Sequence, residues 1–304
     1  MNKNLLVCSI ALFGAACGSG GGDNAGDPTG ILSVAVTDAA VEDVSVVTVE
    51  FSGITLKPGS GDEITFDFDP PKSINLLELQ DGNTAELLPD TRIPAGRYNW
   101  MRLAVNADFD NVMDSFVERN DGSQVELRVP SGSQSGLKLV SGFTVTQDQS
   151  TNIVLDWDLR KALSEPGGQP GMHLRPAIRV TDMAQYGTLA GSVDLALLED
   201  AGCTNDLVEG TGNAVYLYAG NVSDPDDING TDSDPLATAT VRLGADDIYR
   251  YEVNYLSIGE YTAALTCQAS DDDPEADDDI GFVASATGVA IADGETTTLD
   301  FTAP

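Results

Sequence analysis

The sequence predicts an all-β protein made of two antiparallel β-sandwich domains. Three observations carry this. From Ile31 onward, apolar and polar residues alternate with period two in many short runs; Gly, Pro, Asn and Asp punctuate between the runs; and no long stretch shows a 3.6-residue apolar period. The 304 residues suffice for two domains of ordinary size, and a hydrophobic fraction of 41% is enough to form packed cores.

The chain opens with Lys3, an apolar run from Leu5 to Phe13 (LLVCSIALF), and the small residues Gly14, Ala15 and Ala16 before Cys17. This is the layout of a signal peptide over residues 1–16. The run is shorter than the ~20 apolar residues that a membrane-spanning helix requires. Residues 17–29 are rich in Gly, Asp and Asn without an apolar period and read as a flexible tether.

A first sandwich is expected over 30–183. Ile64, Phe66 and Phe68 alternate with Thr65, Asp67 and Asp69 until Pro70-Pro71, which is expected to end that strand. Val125, Leu127 and Val129 alternate with Glu126 and Arg128, and Ile153, Leu155, Trp157 and Leu159 with Val154, Asp156 and Asp158. Further strands fit 31–37, 44–57, 97–106, 137–146 and 174–181, with short helical turns near 74–80 and 158–164. The segment MAQYG at 183–187 marks a boundary, and a second sandwich is expected over 187–304. Its strands are GTLAGSVDLAL, NAVYLYAG, ATATVRLG, IYRYEVNYL and YTAALTC, with a closing hairpin-like pair around Asp293-Gly294.

The step Gly14-Ala15-Ala16-Cys17 resembles the lipobox of bacterial lipoproteins, although Gly14 stands where leucine is typical. The resemblance implies a lipid on Cys17; cleavage by ordinary signal peptidase is the competing reading, since Gly14 and Ala16 suit it too. Because Gly18, not aspartate, follows the cysteine, the resemblance implies the outer membrane, facing the periplasm or the exterior. Of four cysteines, Cys8 lies in the signal peptide. With Cys17 lipidated, Cys203 and Cys267 remain to pair in an oxidising compartment, the alternative being two unpaired core cysteines.

The stretches GILSVAVTDAAVEDVSVVTVEFSGITL, VPSGSQSGLKLVSGFTV, VLDWDLRKAL and HLRPAIRV resemble a bacterial lipoprotein domain of unknown function, family 4382, over residues ~30–182. That family brings no established activity. GTLAGSV, NAVYLYAG, LSIGEYTAAL and GETTTLDF resemble transthyretin-like or carboxypeptidase-regulatory-like sandwiches over ~187–304. That resemblance implies a stalk, spacer or binding platform.

The 49 acidic residues outnumber the 15 basic ones, giving a net charge of −34. Such a surface repels phosphate backbones and anionic headgroups, which excludes nucleic acid as a partner. His173 is the only histidine, so any histidine-dependent triad must use it, and no GxSxG elbow is present. Asp156 and Asp158 share a strand face roughly 6–7 Å apart, a spacing open to a hydrolase, although the strand is explained by its apolar neighbours alone. Two acidic loops are the stronger candidates: Asp224, Asp226, Asp227, Asn229, Asp232 and Asp234 in the first, and Asp271, Asp273, Asp277 and Asp279 in the second. They supply the oxygen ligands that calcium takes, without EF-hand spacing; a solvated, salt-tolerant surface is the other reading. The loop SGSQSG at 131–136 is open to a tight turn or to contacts with a sugar or peptide. The expected function is a non-catalytic envelope lipoprotein without an obligate cofactor. It would act as a binding or structural module for a protein or glycan. A calcium-dependent adhesin or matrix component, and a carboxylate-dependent hydrolase, are the alternatives.

Overall fold

The computed structural model describes residues 28–39, 41, 44–130, 136–167, 171–200, 203 and 212–303. The signal peptide, Cys17, most of the tether and most of the SGSQSG loop lie outside them. The protein is all-β, and among the described residues no helix is long and apolar enough to cross a membrane.

Among the described residues, thirteen strands precede residue 183: β1 (Thr29–Ala39), β2 (Val44–Pro58), β3 (Ile64–Asn75), β4 (Ala85–Pro94), β5 (Gly96–Asn106), β6 (Phe116–Arg119), β7 (Gln124–Arg128), β8 (Leu137–Leu139), β9 (Phe143–Val145), β10 (Ser150–Asp158), β11 (Leu163–Ser164), β12 (Met172–Leu174) and β13 (Ile178–Asp182). One sheet has the order β13-β10-β1-β4. The other runs β11-β12-β7-β6-β2-β5-β8, with β3 on β2 and β9 on β5. Period-two alternation turns Leu32, Val34 and Val36 of β1 and Ile153, Leu155 and Trp157 of β10 into one core with Phe51, Ile54 and Leu56 of β2. Trp157 is fully buried, its ring tilted against Phe51.

Among the described residues eight strands follow: β14 (Tyr186–Val193), β15 (Ala214–Ala219), β16 (Ala237–Thr240), β17 (Arg242–Leu243), β18 (Tyr249–Ser257), β19 (Gly259–Thr266), β20 (Phe282–Ile291) and β21 (Thr296–Thr298). They form the sheets β17-β18-β14-β21 and β16-β15-β19-β20. None of the four sheets takes strands from both sides of residues 183–185, and neither do the hydrophobic clusters. Cys203 and Cys267 form a disulfide across a sequence separation of 64.

The structure departs from the sequence reading in several places. Pro70-Pro71 does not end β3. The strand borders only β2, and its ladder breaks between Asp67↔Gly53 and Lys72↔Phe51, so the prolines occupy positions with no ladder donor to lose. The 137–146 segment splits into β8 and β9 around Ser141-Gly142, and 174–181 into β12 and β13 around Pro176. LALLED at 195–200 is a short helix, α2, and α1 is Leu159–Ala162; the strand expected to run through it stops at Val193. The turn at Asp293-Gly294 does not make a hairpin. β20 pairs with β19 in one sheet, whereas β21 pairs parallel with β14 in the other, so this turn crosses the sandwich. The pairs β1–β10 and β7–β12 are also parallel, within otherwise antiparallel sheets.

Candidate functional site

Where the two halves meet, the first sends charged side chains from β10, α1 and β13 into the second. Asp158 ends β10 and caps α1, accepting from the Lys161 amide. It also accepts from the Thr238 amide at 2.9 Å and the Thr238 hydroxyl at 3.1 Å. Arg160, itself buried, donates to the Ala269 carbonyl and to Thr240 Oγ1, both at 3.2 Å. Lys161 Nζ reaches the Pro235 carbonyl at 2.5 Å and Asp234 at 3.7 Å. Asp156 is paired with Arg179, whose Nη2 also donates to the Asn254 carbonyl at 2.7 Å. Burial pushes the Asp156 carboxyl up and the Arg179 guanidinium opposes it. Asp156 and Asp158 are thus engaged in contacts between the two halves of the chain, a role that their common strand face did not reveal. Around these contacts lies a cleft of about 1600 Å³ lined by Lys161, Arg175, Arg179, Asp234 and Tyr255 among others.

His173 lies across from Ser164 in the β11–β12 ladder. The Ser164 hydroxyl donates to Glu275 Oε1 at 2.9 Å and not to the imidazole, while His173 Nε2 is buried without a partner. Burial, with Arg128 close by, lowers the His173 pKa. A Ser–His relay is therefore not assembled here, since the nucleophile must hand its proton to the ring.

The two acidic loops converge on Asp227. Oxygens of Asp226, Asp227 and Asp277 lie within 4.8 Å of one another, as do those of Asp227, Asp272 and Asp278. Asp227 is 1% exposed. Its Oδ2 accepts from the Asp278 amide at 2.5 Å and its Oδ1 from Asn229 Nδ2 at 2.9 Å. Asp272 accepts from the Tyr216 hydroxyl at 2.6 Å and the Ile228 amide at 3.2 Å. Burial raises the Asp227 carboxyl and lifts Asp272 to about 6, the latter against the Tyr216 hydrogen bond. Asp226, Asp227 and Asp277 from the sequence-derived set thus come together, with Asn229 on their edge. Asp234 turns back to the amides of Asn229, Gly230 and Thr231, and Asp273 accepts from the Glu275 amide. Asp224 and Asp232 line the cleft, and Asp271 and Asp279 join neither carboxylate group. The sequence marks the whole run DDDPEADDD, Asp272 and Asp278 included, as a candidate loop, but the four ligands chosen from it are Asp271, Asp273, Asp277 and Asp279. Within DDDPEADDD nothing local marks which carboxylates turn inward, because the partner Tyr216 stands 56 residues away.

An all-oxygen donor set of this kind fits a hard cation such as calcium, which takes six to eight oxygens from carboxylates and carbonyls. Residues 29–176 match the family model of DUF4382, a domain of unknown function. The match covers the first domain up to the β12–β13 link, and the acidic loops fall outside it. No curated protein matches the chain. Among solved structures the chain is similar to a candidate adhesin from Bacteroides ovatus (TM-score 0.24, 10% identity, covering 97% of this chain and 95% of that one). It is also similar to GBS52, the minor pilin of Streptococcus agalactiae (0.18, 11%, 88% and 94%), and to the Bacillus anthracis TIE protein (0.19, 11%, 90% and 34%). The chain spans about a third or less of the first two structures matched.

Proposed function

We propose that this protein is a non-catalytic, lipid-anchored module of the bacterial outer membrane that acts in binding or as a structural element. The DUF4382 region would sit next to the membrane and carry recognition of a protein or glycan. The second domain, in the manner of transthyretin-like and carboxypeptidase-regulatory-like sandwiches, would serve as a disulfide-braced platform beyond it. The observation that carries this reading is the use made of the reactive side chains. Asp156, Asp158 and Ser164, which a hydrolase would need free, are all bonded to groups that brace one domain against the other. The direct test is the mass of the N-terminal peptide from the membrane fraction. A diacylated Cys17 is expected; a mature chain that starts at an unmodified residue overturns the anchor. A hydrolysis screen against Asp156→Asn and Asp158→Asn controls tests the absence of catalysis, which turnover abolished in those variants would refute.

A second reading, a calcium-dependent adhesin or matrix component, is favoured by the convergence of both acidic loops on buried Asp227. A ligand that binds only the folded state raises stability by about 2.7 kcal/mol at a hundredfold excess over Kd. The test is a melt of residues 18–304 with calcium, magnesium, matched sodium chloride or chelator. A shift specific to calcium supports this reading, and equal shifts in all salts sink it.

A further inference from the structure

Around Trp100 the outer face of the nine-stranded sheet gathers three cations, while Glu50, Asp67, Glu118 and Glu126 occupy other positions of the same face. Lys57 on β2 stands opposite Trp100 on β5, and Arg102 on β5 stands between Thr55 of β2 and Lys138 of β8. These residues point away from the core, because Leu56, Met101, Leu103, Leu137 and Leu139 take the inward positions. Arg102 and Lys138 both lie against the Trp100 ring, at 4.7 and 4.8 Å from its centroid. Arg102 Nε is buried there and has no hydrogen-bond partner. Among the described residues, none of Lys57, Arg102 and Lys138 forms an ion pair with a carboxylate. Asp62 and Glu63, in the turn just beyond Lys57, do not pair with it either. In a chain with 49 acidic residues, Arg102 and Lys138 against one tryptophan, with Lys57 opposite it on the next strand, form a local basic patch.

That face lies near the point where the chain enters the fold. The Ala95 amide donates to the Pro28 carbonyl, and β5 starts at the next residue. Trp100 is five residues along from Ala95, about 16 Å of strand. Residues 18–27 separate Cys17 from Pro28, and a chain of that length reaches on the order of 35 Å at most. A lipid on Cys17 would therefore hold this face close to the headgroups, where tryptophan and basic side chains are favoured.

We propose that the face formed by Lys57, Trp100, Arg102 and Lys138 docks on the phospholipid headgroups of the anchoring membrane, with the acidic loops of the second half left facing away from it. This rests on the anchored reading above. A net charge of −34 keeps the free chain off an anionic surface, so the contact forms only at the high local concentration that a tether imposes. Once the tether brings the face within a Debye length, roughly 8 Å, its local charge outweighs the distant acid.

The test does not depend on whether the cell lipidates Cys17. In residues 17–304, Cys203 and Cys267 are bridged, so Cys17 is the one thiol open to maleimide coupling. The chain is coupled through it to maleimide-lipid vesicles, four parts phosphatidylcholine to one of phosphatidylglycerol, with plain or brominated phosphatidylcholine. Only Trp100 and Trp157 emit, and fully buried Trp157 provides a constant background measured in Trp100→Phe. The expected result is weaker Trp100 emission in brominated than in plain vesicles, with the difference lost in the Arg102→Gln, Lys138→Gln double variant. Equal emission in both vesicle types overturns the proposal, and so does quenching that persists undiminished in the double variant. Failure of the anchor itself is read separately, from the mass of Cys17 in cells.

Discussion

Asp158→Ala should loosen the seam between the two domains more than any other single truncation there. The carboxylate is 6% exposed and serves the Thr238 amide at 2.9 Å, the Thr238 hydroxyl at 3.1 Å and the Lys161 amide at 3.4 Å. Thr238 is 1% exposed, so water does not replace what alanine removes. Two stranded donors at about 1–3 kcal/mol each, together with a weak helix cap of about 0.5 kcal/mol, give a loss of roughly 2.5–6.5 kcal/mol. For a unit of this size that corresponds to a fall in Tm of roughly 10 °C. Calorimetry on residues 18–304 reads both the fall and any splitting into separate transitions, as expected once the domains no longer brace each other. A double-mutant cycle with Thr238→Ala isolates the contact, because that variant removes the hydroxyl but keeps the amide. A coupling of about 1 kcal/mol or more is expected between the two changes. If the two effects simply add, or if Asp158→Ala melts with the native protein, the seam does not depend on this carboxylate.

Three further outcomes follow from the same structure. Replacing Cys203 and Cys267 by serine opens a loop of 64 residues, which by chain entropy costs about 4 kcal/mol; a melt unchanged by reductant and by the double variant would refute it. Asp272 has its carboxyl raised from 3.8 to about 6, chiefly by burial. Ionising it in the folded state therefore weakens the second domain as pH rises from 4 to 6, by up to about 3 kcal/mol. That loss is fully present above pH 6 and absent below pH 4. Calcium should offset it, so the calcium-induced rise in Tm should be larger at pH 7 than at pH 5; a calcium effect independent of pH counts against Asp272 as a ligand. Trp157→Ala empties the centre of the first core beside Phe51 and should cost about 3–5 kcal/mol, read as a lower urea midpoint at unchanged m.

The cation face and the acidic loops also set an expectation for orientation. If the sheet face bearing Trp100 meets the headgroups, both acidic loops remain accessible to solutes, so calcium titration of the vesicle-coupled chain should match that of the free chain. Protection of the loops on coupling would point to the opposite docking.

Much of the architecture was legible in the sequence because strand alternation is local. Leu155 and Trp157 read as inward from their spacing alone, and both are fully buried. The short helical turns at 76–79 and 159–162 fell where the alternation lapsed. Pairing was not legible. Nothing near Asp293-Gly294 says that β21 will leave β20 for β14, because the partners it meets there, the Tyr186 carbonyl for the Gly294 amide among them, lie about a hundred residues earlier in the chain. LALLED gave too short a run for its helical period to stand out against the strand before it.

By itself, the sequence determined the all-β class, the tryptophan-centred core of the first half, and two loops dense in carboxylates. Each follows from composition or from spacing along a few residues. Only the tertiary structure decided which aspartates act together. Asp156 answers to Arg179, Asp158 to Thr238, and Asp227 gathers carboxylates from a loop about 50 residues further on. A carboxylate carries the same charge wherever it stands in the chain; its role is set by what it is buried against, and those partners are brought to it by the pairing of distant strands.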